Sequence, residues 1–352
     1  MSYLLEPDSR GRTPIITISI DGREVAAGFY SRLTKVNMRD EAGQNADKIT
    51  FELDDARNEL LVPREKATIT AAVGYRETGV YPRGPYEMQP LAMAGGGDGE
   101  RLIIQGEAAD LRRRFKGVKR RSWENKTFGE IARDIARDND AQVVISDELA
   151  ALKLPYTVQM DGSDIDFLTR LGDEHGAIVK PMGDRLVITE RGSATSASGS
   201  ELADIIISKS DCSGWHIEPN GRVEYGRVSV PWTDQKTGKR KIEEYETGLS
   251  GPELLLPEAQ PDQDRAKRKA QAEGRRLSSD ASNGHFIIPG RPDAQAGARV
   301  IARGFRPEIN GAWLAHAVED TLDEGGYVTK IEVKAIGGGK AGGRTLPGAA
   351  AP

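Results

Sequence analysis

Residues 283–335 constrain the fold more than any other part of the chain, because their apolar side chains recur with a period of two. In Tyr327-Val-Thr-Lys-Ile-Glu-Val-Lys-Ala335, the residues Tyr327, Thr329, Ile331 and Val333 fall on one face, and Lys330, Glu332 and Lys334 fall on the other. That alternation belongs to a half-buried strand. Asp323-Glu-Gly-Gly326 precedes it, with glycines that accept positive φ, and residues 312–322 are long enough for a partner strand. The pair predicts a hairpin. Upstream, 285–288 stops at Pro289-Gly290, and 299–305 stops at Pro307 and the Asn310-Gly311 turn signal. Four strands separated by turns imply an antiparallel sheet or barrel.

The beginning of the chain has the same character. Ile15-Ile-Thr-Ile-Ser-Ile20, then Asp21-Gly22, then Arg23-Glu-Val25 predicts a hairpin, since Asp-Gly suits a turn whose twist matches the strands. Segments 30–39, 48–54, 66–75 and 101–108 continue the β pattern, with Ile49, Phe51 and Leu53 facing inward. Residues 76–100, with three prolines and Ala94-Gly-Gly-Gly-Asp-Gly99, lack periodicity and are expected to form a mobile inserted loop. No Gly-Lys-Ser/Thr follows those glycines, so a phosphate-cradling loop lacks its remaining parts. Residues 1–13, polar and broken by Pro7 and Gly11, are expected to be a flexible arm.

The pattern changes at Leu111. Thr127-Phe-Gly-Glu130 is a capping-box sequence with Phe128, Ile131 and Ile135 at helical spacing, and 142–145 reads as a strand. Ser163-Asp-Ile-Asp166 then caps a helix carrying Phe167, Leu168 and Leu171, which Gly176 ends before strands at 177–180 and 185–188. Helix followed by strand, twice, predicts a small α/β domain at 111–192. A Ser, Ala and Gly-rich linker spans 193–199, and strands are expected at 205–207, 222–232 and 241–247. Residues 262–282 predict a helix with a thin stripe of Ala266, Ala270, Leu277 and Ala281, small enough for close approach to a sheet. The Gly and Ala-rich end, 336–352, is expected to be disordered.

At 352 residues the chain suits two or three domains. Cys212 is the single cysteine, which removes internal disulfides and multi-thiolate metal sites and fits a reducing compartment. The first residues lack the basic start and apolar core of a secretory signal, and no run approaches the roughly 18 apolar residues of a membrane span. Synthesis in a cytoplasm and no membrane insertion are therefore expected. The net charge of −5 gives no general attraction to nucleic acid.

No catalytic constellation is legible. Asp173, Glu174 and His175 are adjacent at a helix end, so they point in different directions, and a histidine there is explained by the helix dipole. His216, His285 and His316 lack partners at metal-ligand spacing, and Cys212 has no identifiable base. Trp215, Trp232 and Trp313 are most simply packing residues. No catalytic residue, metal site or cofactor is expected. The one dense cluster is Arg112, Arg113, Arg114, Lys116, Lys119, Arg120 and Arg121, seven positive charges in ten residues, with Phe115 and Trp123 interleaved. These seven are the candidate protein-contact residues; a solvated strand or a nucleic-acid surface has the same charge density.

Gly290-Arg-Pro-Asp293, Gly297, Gly304-Phe-Arg-Pro307, Gly311-x-Trp313 and Leu322-Asp-x-Gly-Gly-Tyr327, together with Asp166-Phe-Leu-Thr-Arg-Leu171, Glu174-His-Gly-Ala177 and Gly214-Trp215, form an ordered pattern. It resembles the phage late control D proteins, baseplate hub proteins of contractile phage tails and related particles. The resemblance covers roughly residues 14–335. It implies a β-rich α+β multidomain chain with two tail-tube-like antiparallel β-barrel domains, 14–110 and 200–335, flanking the small α/β domain. It also implies a homotrimer in the virion baseplate that adapts a sixfold tail tube above to a threefold central spike below, with the tube lumen running through it. Wedge or tube-initiator proteins would be its neighbours, with no sequence-specific nucleic acid binding. A peptidoglycan-degrading tail hydrolase and a nucleic-acid-binding module are the alternatives.

Overall fold

The structure, a computed structural model, describes residues 3–5, 7–8, 10–42, 47–56, 60, 64–96, 99–108, 115–182, 185–190, 202–219, 224–234, 236–279 and 282–336. The linker 193–199, Arg112, Arg113, Arg114 and residues 337–352 lie outside them.

The described residues form one fifteen-stranded sheet and three small ones, mostly antiparallel. The large sheet contains two six-strand units. In the first, Pro14–Ile20, Leu33–Glu41, Lys48–Asp54, Thr68–Tyr75, Gly79–Met88 and Gly99–Ala108 are the first to sixth strands. In the second, the corresponding strands are Ile205–Ser208, Gly214–Pro219, Ser282–Pro289, Arg299–Arg303, Gly311–Asp323 and Gly326–Ala335. Both units pair their strands in the order 2-3-6-5-4-1. They differ at one ladder: the first strand runs antiparallel to the fourth in the first unit and parallel to it in the second.

Alternation explains why each unit has its own interior. Ile49, Phe51, Leu53, Ile69, Val73 and Leu102 fill the first core, while Phe286, Val300, Trp313, Ile331 and Val333 fill the second. The predicted inward set Tyr327, Thr329, Ile331 and Val333 is buried. Strand Gly311–Asp323 links the two units. Its start pairs with Arg299–Arg303, and its end pairs with Leu33–Glu41 from Ala317↔Glu41 to Leu322↔Val36. A bulge at His316 separates the two halves of this strand. Leu322 and Tyr327 consequently pack in the first core, although they belong to the second unit's hairpin.

Among its described residues, the expected mobile loop at 76–100 is mostly strand instead. Gly79–Met88 pairs with Thr68–Tyr75, and Ala92–Gly96 pairs with Gly99–Ala108. Most of these residues are exposed, so no inside-outside alternation marked the strands. The N-terminal arm is also tied down. Tyr3–Leu4 pairs with Ile15 and Ile16, Asp8 binds Arg12, and the Arg12 guanidinium lies 4.0 Å from the centroid of the Tyr75 ring.

Residues 118–190 have a separate core. The capping box at Thr127 and Glu130 starts helix Phe128–Arg137, and Ser163 caps helix Asp164–Glu174. Gln142–Ile145, Arg185–Glu190 and Ala177–Met182 form a three-stranded sheet, while Val118–Thr127 and Lys153–Ser163 form a two-stranded ribbon. Between the second and third strands of the second unit, Arg227–Thr233, Arg240–Glu246 and Glu253–Leu255 make another small sheet. Helix Gln263–Ser279 covers it through Ala266, Ala270 and Gly274. A Cβ at Gly274, a residue outside the predicted stripe, would lie 2.2 Å from the Tyr245 ring; Ala281 of that stripe lies outside the described residues.

Candidate functional site

The basic run folds back onto the chain's own acids. Lys119 Nζ lies 3.0 Å from Asp164 Oδ2, and Arg121 pairs with the other oxygen of the same carboxylate. Asn139 Nδ2 and Gln159 Nε2 each donate to Asp164 at 2.9 Å. Asp164 is fully buried. Burial alone would raise its pKa, but the hydrogen bonds from Asn139, Gln159, Lys119 and Arg121 outweigh it and hold the carboxyl below its ordinary value. Arg120 forms an exposed pair with Asp161 at 2.6 Å, and Lys116 is exposed. Phe115 and Trp123 are core residues rather than stacking groups: Phe115 is buried, and Trp123 stacks on Phe167 with centroids 5.3 Å apart.

Two further polar clusters cross between parts of the fold. Arg83 donates from Nη2 to Asp320 Oδ2 at 3.2 Å and to the Pro292 carbonyl at 2.9 Å, while Thr329 Oγ1 donates to Asp320 at 2.6 Å. The Tyr75 hydroxyl donates to the Gly290 carbonyl at 3.0 Å. These contacts join the two strand units. Lys180, from the central segment, reaches Asp40 at 3.1 Å and Asp47 at 3.0 Å on the large sheet. Burial, then the neighbouring Asp40, pushes the Asp47 carboxyl up to about 6 despite Lys180. Sequence spacing could not find the Arg83–Asp320, Lys180–Asp40 and Lys180–Asp47 pairs, whose members lie 133 or more residues apart.

Among the described residues Asp173, Glu174 and His175 make no group able to hold a metal ion. Glu174 and His175 line a cleft of about 440 Å³ between the central segment and helix Gln263–Ser279. The His175 ring packs on Phe128, and burial, then Arg268 and Arg265, lowers its pKa to about 4. The imidazole is neutral at pH 7, so attraction of a cation to the helix end does not explain this position. Burial and Asp211 push the Cys212 thiol up to about 11, which disfavours its thiolate. Trp313 and Trp232 are buried, whereas Trp215 is partly exposed and meets the edge of Phe305.

A sequence model described as phage tail baseplate hub (GPD) matches residues 90–326. The chain belongs to this family. It is similar to the probable baseplate hub protein of Escherichia phage 186, at 25% identity over 91% of this chain and 92% of that one. In fold it is similar to the tail protein from Neisseria meningitidis MC58, with a TM-score of 0.66 at 13% identity, covering 93% of this chain and 99% of that one. It is also similar to the E. coli c3393 protein, a type VI secretion component, with a TM-score of 0.53 at 11% identity, covering 90% of this chain and 76% of that one. The hub is thus a β-rich structural component of the virion baseplate. The polar clusters above serve to fix its parts together.

Proposed function

We propose that three copies of this hub close a ring that adapts a sixfold tail tube to a threefold spike, with the tube lumen passing through it. The observation that carries this reading is the repeated 2-3-6-5-4-1 strand order, which gives one chain two similar units. A tube ring offers six equivalent docking positions and a threefold spike offers three, so three two-unit chains satisfy both. The domains are then 14–110 and 200–335, related by about sixty degrees round the particle axis, with 111–192 as a separate α/β domain. The contact to the next chain has a counterpart within one chain. Leu33–Glu41, the second strand of the first unit, crosses to the second unit, and Gly214–Pro219 is the equivalent strand with an outer edge. That edge supplies the contact between copies.

The partners are the tube protein above, the spike protein below, and wedge or tube-initiator proteins at the rim. Lys116 and Arg120, with Arg112, Arg113 and Arg114, are the contact residues kept from the basic run; Lys119 and Arg121 serve the Asp164 cluster. The chain carries no catalysis, a reading supported by the raised Cys212 thiol. A particle reconstruction with three hub chains per ring is expected, and six chains per ring would reject the proposal. Purified hub releases no muropeptides from peptidoglycan; release abolished by one acidic substitution would reject the non-catalytic reading.

A further inference from the structure

We propose that the strand Ala92–Gly96 of one hub chain pairs antiparallel with the strand Gly214–Pro219 of the next chain in the ring. The proposal rests on the ring of copies proposed above and names the strand that meets its free edge. Both strands have one unused side. Among the described residues Ala92–Gly96 pairs only with Gly99–Ala108, and Gly214–Pro219 pairs only with Ser282–Pro289. An unpaired edge presents its backbone N–H and C=O groups to another strand.

The pattern for the missing ladder is inside the chain. The pairs Tyr86↔Ala108, Met88↔Gly106, Ala92↔Ile103 and Gly96↔Gly99 correspond, at one constant displacement in residue number, to Trp313↔Ala335, Ala315↔Val333, Glu319↔Lys330 and Asp323↔Gly326. Ala92–Gly96 is therefore the counterpart of residues 319–323, in the half of strand Gly311–Asp323 that leaves its own unit to pair with Leu33–Glu41. The row Val36, Phe51, Ile104 corresponds in the same way to the row Trp215, Phe286, Ile331, so Gly214–Pro219 is the counterpart of Leu33–Glu41. Transferring Leu322↔Val36, Thr321↔Asn37 and Asp320↔Met38 puts Gly95 opposite Trp215, Ala94 opposite His216 and Met93 opposite Ile217.

The side chains at these positions fit one another. Directly opposed residues of antiparallel strands share a face. Within the chain Leu322 and Val36 are both buried at their contact. At the contact between copies the sizes are exchanged: glycine stands in for leucine and Trp215 for valine, so the backbone at Gly95 leaves room for the indole. Trp215 is 41% and Met93 73% exposed in the single chain. Pairing covers both, with Met93 against Ile217, which already packs on the second core.

Tails assembled from the full-length hub test the pairing. In a Cys212→Ser background, Ala94→Cys with His216→Cys places two thiols on directly opposed residues, whose Cα atoms lie roughly 4.5–5.5 Å apart, a separation that a disulfide spans. Oxidation should link three hub chains into one covalent species, whereas Ala94→Cys with Ile217→Cys, one residue out of register, should link none. If the first pair does not assemble, Ala92→Cys with Glu218→Cys takes its place. Gly95→Leu should reduce assembly about tenfold or more. The isolated variant should melt as the wild type does, since a Cβ at Gly95 meets only the Glu100 Cγ, at 3.5 Å. Adding Trp215→Val should restore assembly. Three chains per ring without the cross-link, or without rescue by Trp215→Val, overturn the pairing and leave the ring standing; six chains per ring overturn both.

Discussion

Arg83 and Asp320 meet at 3.2 Å inside the molecule, one on the fifth strand of each unit, with both side chains largely removed from solvent. Burial pushes the Asp320 carboxyl up, and the Arg83 charge only partly offsets this. Removing the cation alone therefore strands a buried carboxylate. Arg83→Met should destabilise the hub by about 3–5 kcal/mol, while Arg83→Met with Asp320→Leu should recover much of the loss. Urea unfolding of the two variants checks both values, and similar stabilities would remove the pair from the account.

Asp164 gathers four donors, and its folded pKa lies below the ordinary value of 3.8. The stability it contributes is present above that value and is lost as pH falls through the lowered folded pKa. Asp164→Asn should cost about 1.5–3 kcal/mol at pH 7 and much less in strong acid. Thermal unfolding across that range is the measurement.

The sign reverses at Asp47. Its folded carboxyl titrates at about 6, above the ordinary 3.8, so the protonated form is favoured and that stability is lost as pH rises through 6. Asp47→Asn should keep its acceptor for Lys180 and be relatively more stable at pH 8 than at pH 4. A carboxyl carbon titration by NMR should place the wild-type midpoint near 6.

Gly290 leaves space for the Tyr327 ring, because a Cβ there would come within 2.2 Å of Cδ1. The ring is buried in the first core and lies 5.6 Å from Tyr75. Gly290→Ala should destabilise by about 1–3 kcal/mol through overpacking. Denaturant midpoints are the direct measure, and an unchanged midpoint would mean the ring relocates freely.

Arg120 and Asp161 form an exposed pair, so reversing the arginine should hardly affect folding. If the basic run docks a neighbouring protein, Arg120→Glu should reduce particle assembly while the isolated chain melts normally. Assembly at the wild-type level would assign this segment to a solvated face.

Local chemistry made much of the fold legible from residues alone. Period-two alternation identified the buried face of 327–335, the Thr127 and Glu130 pair started a helix, and Ser163 started another. Spaced glycines, Trp313 and Tyr327 carried the family. Each signal depends on neighbours within a few residues, which is the range over which backbone geometry is set by the sequence itself. The strands at 79–96 were hidden because neighbouring strands hold residues that are exposed on most of their surface. The roles of Lys119, Arg121, Lys180 and Arg83 were also decided by tertiary structure. A charge has no periodicity that names its partner, and burial, distance and desolvation select Asp164, Asp47 and Asp320 from 54 acids only after the chain has folded.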